Sequence, residues 1–187
     1  RPQEAEFDAV LAFSAETPGN RLAGLALAAS LARYWSASGT PATGERWLVR
    51  LLEAGADEAP PGLLGTAWMA AAEMARLQQR LDAALEMAER AQHALFAAGD
   101  EEGLMALRWL RARIDYTQGR IASVAQSLPE LLDWARRRGS ATTRGVTQLA
   151  AITALRRRRR RRAARLFDEL LASSRELDDP VGEIAAL

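Results

Sequence analysis

Residues 61–100 read PGLLGTAWMAAAEMARLQQRLDAALEMAERAQHALFAAGD. Proline opens the stretch, Gly99-Asp100 closes it, and Gln79 falls between two segments whose small and apolar residues recur at helical spacing. Ala72 and Met74 supply the inner face of the first segment, and Ala84, Met87 and Ala91 a stripe along the second. The stretch predicts a pair of helices joined by a tight turn.

The same pattern recurs with a period of 40 residues along the chain of 187. Gly39, Gln79, Gly119 and Arg159 mark the turns, and Gly44, Ala84, Val124 and Ala164 follow five residues on as compact contact positions. Trp47, Met87, Ser127 and Phe167 share one phase of the second helices, with Leu51, Ala91, Leu131 and Leu171 four residues further. Ala32, Ala72, Ala112 and Ile152, with Tyr34, Met74, Ile114 and Ala154, line the first helices. In the third repeat Arg108 and Arg111 stand in the columns of Trp68 and Ala71, so that helix is either rotated or shifted by an insertion. Junctions fall at 55–62 with Pro60-Pro61, at Gly99-Asp100, at Gly139-Ser140 and at Asp178-Asp179-Pro180. The expected organisation is an opening or capping helix with its linker over 1–20, then repeats of about 21–60, 61–100, 101–140 and 141–180. Residues 181–187 begin a further repeat that breaks off, so the parent chain is expected to continue in both directions.

Composition agrees with an all-α chain. The hydrophobic share of 49% is mostly alanine and leucine. There is no cysteine, which fits a reducing compartment such as the cytoplasm and excludes disulfides and thiolate metal sites. No stretch approaches the ~20 uncharged apolar residues of a membrane span. All 25 basic residues are arginine, a bias that fits GC-rich coding sequence. Residues 1–105 carry 8 arginines against 15 acids, a net −7, and residues 106–187 carry 17 against 9, a net +8. Such polarity steers partners or pairs molecules head to tail.

Spacing inside each pair resembles the tetratricopeptide repeat, with Trp68, Ala71, Ala72, Ala84, Ala88 and Ala91 at its packing positions, although a period of 40 exceeds that family's usual ~34. The expected fold is therefore an all-α, α-α superhelix, a tetratricopeptide-like solenoid of antiparallel pairs. The chain also resembles the helical-repeat segment that follows the ATP-binding module of large bacterial regulators, including LuxR-type activators, antibiotic regulatory proteins and the maltose-regulon activator. The segment 6–13, the run from Arg21 to Tyr34-Trp35 with Gly39 and Glu45-Arg46-Trp47-Leu48, and the junctions 99–103 and 178–183 carry that resemblance. It implies a domain that receives a small inducer or protein partner and biases neighbouring domains of the parent chain.

Chemistry-bearing motifs are few. His93 is the sole histidine and is expected to be a surface or packing residue, and the acidic pairs Glu101-Glu102 and Asp178-Asp179 sit where helix starts favour anions. Without lysine no P-loop can form. Neither a cofactor nor a metal site is expected, nor an enzyme. Stacked pairs place first helices on the concave side, and the phase puts Arg33, Met69, Glu73, Arg76, Trp109, Arg113, Tyr116, Thr153 and Arg156 at its exposed positions, as the surface for a protein partner or small inducer. The basic patch Arg156, Arg157, Arg158, Arg159, Arg160, Arg161 and Arg162 covers a helix end, a turn and a helix start, with Arg161 standing where Leu81 and Ile121 stand in other repeats. A solvated corner is its plain reading, and an acidic protein or domain partner the next. Nucleic acid or phosphate binding at this run is the alternative function, though nucleic acid is the less expected partner; a self-associating structural unit is the third.

Overall fold

Alanine and leucine at helical spacing become helices separated by turns of a few residues. The computed structural model describes residues 2–138 and 140–176. They form α1 (Pro2–Glu16), a 3-10 turn (Pro18–Asn20), α2 (Arg21–Ser38), α3 (Pro41–Gly55), α4 (Pro61–Leu77), α5 (Leu81–Ala98), α6 (Glu101–Thr117), α7 (Ile121–Arg138), α8 (Ser140–Arg156) and α9 (Arg160–Glu176). Among the described residues there is no strand, and successive helices pack as antiparallel α-α pairs. The junctions expected at Gly139 and at 178–180, and the start expected at 181–187, lie outside the described residues.

Each intra-repeat turn closes with the same device. Residues 39, 79 and 119 are left-handed, at φ of 75°, 62° and 76°, and the next amide reaches back five residues. The bonds run from Thr40 to Trp35, Arg80 to Ala75 and Arg120 to Asp115, at 3.0, 3.0 and 2.8 Å. Gln79 adopts this conformation with a side chain, at a cost of about 1 kcal/mol. Gln79→Gly is therefore expected to raise stability by up to about 1 kcal/mol, a gain of a few degrees in melting temperature. A loss of stability in that variant would contradict the assignment of strain to this residue.

The fourth repeat begins one residue earlier than the phase of 40 requires. Its left-handed residue is Arg158, φ 57°, not Arg159, and Arg159 bonds back to Ala154 at 2.8 Å. α8 and α9 both begin 39 residues after α6 and α7. The buried positions move accordingly. Ala163, Leu166 and Leu170 are buried, where the phase of 40 named Ala164, Phe167 and Leu171. Arg160, not Arg161, starts α9 as Leu81 and Ile121 start α5 and α7. In α6, by contrast, the register is intact. Its start and its turn glycine keep the 40-residue spacing, so no insertion shifts it, and Leu107, Leu110 and Ile114 are buried beside the exposed Arg108 and half-buried Arg111.

Two compact units result, residues 1–114 and 115–187. In the first, α1 to α4 share a core around Leu11, Leu25, Trp35, Leu48, Leu51 and Met74, and α4 to α6 share another around Ala72, Ala88, Leu95, Leu110 and Ile114. Polar ties reinforce the seams. The Trp47 indole N–H donates to Asp8, fixing α1 on α3. Buried Glu45 accepts from Arg80 at 2.6 Å, and also from Gln78, fixing α3 on the α4–α5 turn. In the second unit α8 packs against both α7 and α9 over Val124, Leu131, Val146, Ala151, Ala163 and Leu170. A forked pair from Arg136 to Glu169, 3.1 Å at each end, ties α7 to α9.

Candidate binding surface

Glu73 and Arg113 occupy the same phase of α4 and α6, consecutive first helices in contact, so their side chains meet. Arg76 lies one turn beyond Glu73, and Trp109 one turn before Arg113. Both oxygens of the Glu73 carboxylate are engaged twice. Arg76 donates from Nε and Nη2 at 2.8 and 3.0 Å, and Arg113 from Nη1 and Nη2 at 2.8 and 3.0 Å. The Arg113 guanidinium also lies over the Trp109 ring, 5.2 Å from its centroid.

The three charged side chains are 22% exposed for Glu73, 16% for Arg76 and 29% for Arg113. Burial alone raises the carboxyl pKa. Hydrogen bonds and charge from Arg76 and Arg113 outweigh it and hold Glu73 below the usual carboxylate value. Burial pulls the Arg113 guanidinium below its ordinary value against the upward pull of Glu73, yet an arginine stays charged across the range in which proteins fold. Two cations thus share one carboxylate in a partly open cluster with an aromatic plate beside it.

The remaining expected surface residues divide by location. Arg33 is exposed on α2, and Met69 is half-buried because it packs on the second core cluster. In the second unit Tyr116 is half-buried beneath Arg156, whose guanidinium is 4.9 Å from its ring. Thr153 is a correction: it is 2% exposed and not on the open face. The early start of the fourth repeat makes Thr153 the equivalent of Met74 and Ile114, both inner-face positions, and puts Ile152 and the exposed Leu155 at the surface phase instead.

All seven residues of the basic patch, Arg156 to Arg162, are exposed. Among the described residues none of them pairs with a carboxylate. Three, Arg157, Arg159 and Arg162, face a cleft of about 240 Å³ walled by α7, α8 and α9. Sequence reasoning found the patch but not the cleft, because helix phase alone does not show where three helices leave space. It also missed Glu45, whose burial follows from its contact with the α4–α5 turn.

The smaller expectations resolve simply. His93 is exposed. Asp100, just before the acidic pair Glu101-Glu102, caps α6 by accepting from the Gly103 amide at 2.8 Å. Trp35, Trp47 and Trp134 are core residues, while Trp68 is half-buried under Arg90, 4.7 Å from the ring centroid. Among the described residues no group of three acidic or histidine side chains could hold a metal, and no helix is long and apolar enough to cross a membrane. Compared with protein-family models and with curated proteins, the chain matches none of them.

Proposed function

We propose that this chain is a non-catalytic recognition module, the repeat segment of a larger cytoplasmic bacterial regulator, and that the faces of its first helices bind a protein partner or small inducer. The observation that carries the reading is the Glu73 fork. A carboxylate that immobilises two guanidiniums, one of them stacked on an indole, removes in advance much of the side-chain entropy that binding would otherwise cost. Arginine and tryptophan held in this way offer fixed donors and stacking area. The resemblance to LuxR-type and related regulators supplies the biological setting of this proposal.

Replacing Trp109, Arg113 and Tyr116 together by alanine is expected to leave helical content, read by circular dichroism, close to that of the parent. Affinity for the regulator's inducer or protein partner should fall more than tenfold, about 1.4 kcal/mol. A well-folded triple variant that binds with unchanged affinity would remove the first-helix face as the site.

A further inference from the structure

We propose that the cleft between α7, α8 and α9 is a binding site for a phosphate group, free or carried on a small phosphorylated molecule. Arg157 and Arg159, from the turn after α8, and Arg162, from the first turn of α9, line the cleft. Gln126 adds an amide, and Leu128 an apolar wall. Three arginines lining one space can offer it forked donors, which suit a tetrahedral oxyanion.

A second, independent feature lies in the wall. Thr153 lines the cleft, is 2% exposed, and its Oγ1 has no hydrogen-bond partner in the protein. A hydroxyl buried without a partner costs about 1–3 kcal/mol, and an anion oxygen in the cleft would satisfy it. The electrostatics press the same way. Seven arginines from the end of α8 into α9 have no carboxylate partner among the described residues, and α9 has no acid in its first turn. Cations gathered at a helix N-terminus oppose the helix dipole, whereas an anion there complements it. Size limits the ligand. At about 240 Å³ the cleft has room for a phosphate and a few carbons.

The test is a ¹H–¹⁵N NMR titration of the 187-residue chain with inorganic phosphate and separately with glycerol 3-phosphate, at ionic strength held constant with sodium chloride. The proposal expects saturable shifts at Thr153, Arg157, Arg159 and Arg162 with a dissociation constant below about 1 mM. Tighter binding of the ester identifies a phosphorylated small molecule as the ligand, and equal binding identifies the free ion. Arg157→Gln combined with Arg162→Gln changes exposed positions and relieves repulsion, so its melting temperature should be equal or higher while binding weakens at least tenfold. Thr153→Val keeps the shape, removes the hydroxyl and should weaken binding severalfold. Shifts that never saturate, or that sodium chloride reproduces, overturn the proposal, as does saturable binding that the double arginine variant leaves unchanged. A single-stranded oligonucleotide that saturates the patch while both phosphates fail to bind assigns the arginines to a polyanion surface and also overturns it.

Discussion

Glu73→Ala is expected to destabilise the chain by about 2–3 kcal/mol, measured as a shift of the urea midpoint at constant slope. The loss comes less from the removed carboxylate than from what stays behind. Arg76 and Arg113 are each more than two-thirds buried, and without Glu73 they stay charged beside one another and lose the carboxylate that both bind. The figure sits below the range for fully buried pairs because water still reaches the cluster. Replacing Glu73 and Arg113 together by leucine should recover part of the loss, since one buried cation, Arg76, then lacks the carboxylate where Glu73→Ala leaves two. If the double variant were as unstable as the sum of the single ones, the coupling assigned to the fork would be absent.

The same cluster makes stability depend on acid. Glu73 has a folded-state pKa below its ordinary value of 4.5, so its contribution is complete above the unfolded value and disappears as pH falls through the lower folded one. The stability gap between the parent chain and Glu73→Gln should therefore be constant from neutral pH down to about pH 5 and close below it. A gap that widens on acidification would reverse the sign of the inferred interaction.

Gly44→Val should cost about 3 kcal/mol, lowering the melting temperature by roughly 6–12 °C. Gly44 lies in the first turn of α3, and a Cβ built there would stand 2.6 and 2.8 Å from ring carbons of Trp35 and 3.0 Å from the Met74 sulfur. Neither neighbour can yield easily: Trp35 and Met74 are core residues with almost no exposed surface. The gain in helix propensity over glycine is under 1 kcal/mol and does not offset the clash. Gly62→Ala is the matched control, because its nearest neighbour would be the Ala98 Cβ at 3.9 Å, an ordinary contact. That variant should stay within about 0.5 kcal/mol of the parent or exceed it. Equal tolerance of both substitutions would mean that α2, α3 and α4 do not meet as closely at Gly44 as described.

Helix pairs were legible in the sequence because the forces that make them are local. Alanine and leucine at a spacing of 3.6 favour helix, and a left-handed residue after each first helix stops it, so Gly39 and Gly119 announce turns wherever the chain later packs. The second turn was legible only through the period, since Gln79 carries no such signal. The fourth was placed one residue late for the same reason. Within seven identical arginines nothing distinguishes Arg158 from Arg159 as the left-handed residue, and one missing residue rotates every later side chain on α8 and α9 by about 100°. Thr153 passed in this way from an expected surface to the interior.

The candidate site shows the same division. That Glu73 and Arg113 share a phase, and that Arg76 and Trp109 lie one turn away on the same faces, follows from residue spacing alone. That one carboxylate accepts from two guanidiniums at 2.8–3.0 Å depends on how closely α4 and α6 approach, a distance set by Ala72, Leu110 and Ile114 in the core between α4 and α6. The burial of Glu45 and the cleft beside Arg157, Arg159 and Arg162 are likewise products of three helices meeting. By itself the sequence determined the helices, their pairing and their repeat, which depend on interactions within a few turns. The tertiary structure alone decided which charges are neutralised, which polar atoms lose water and where space remains, because each depends on distances between segments far apart in the chain.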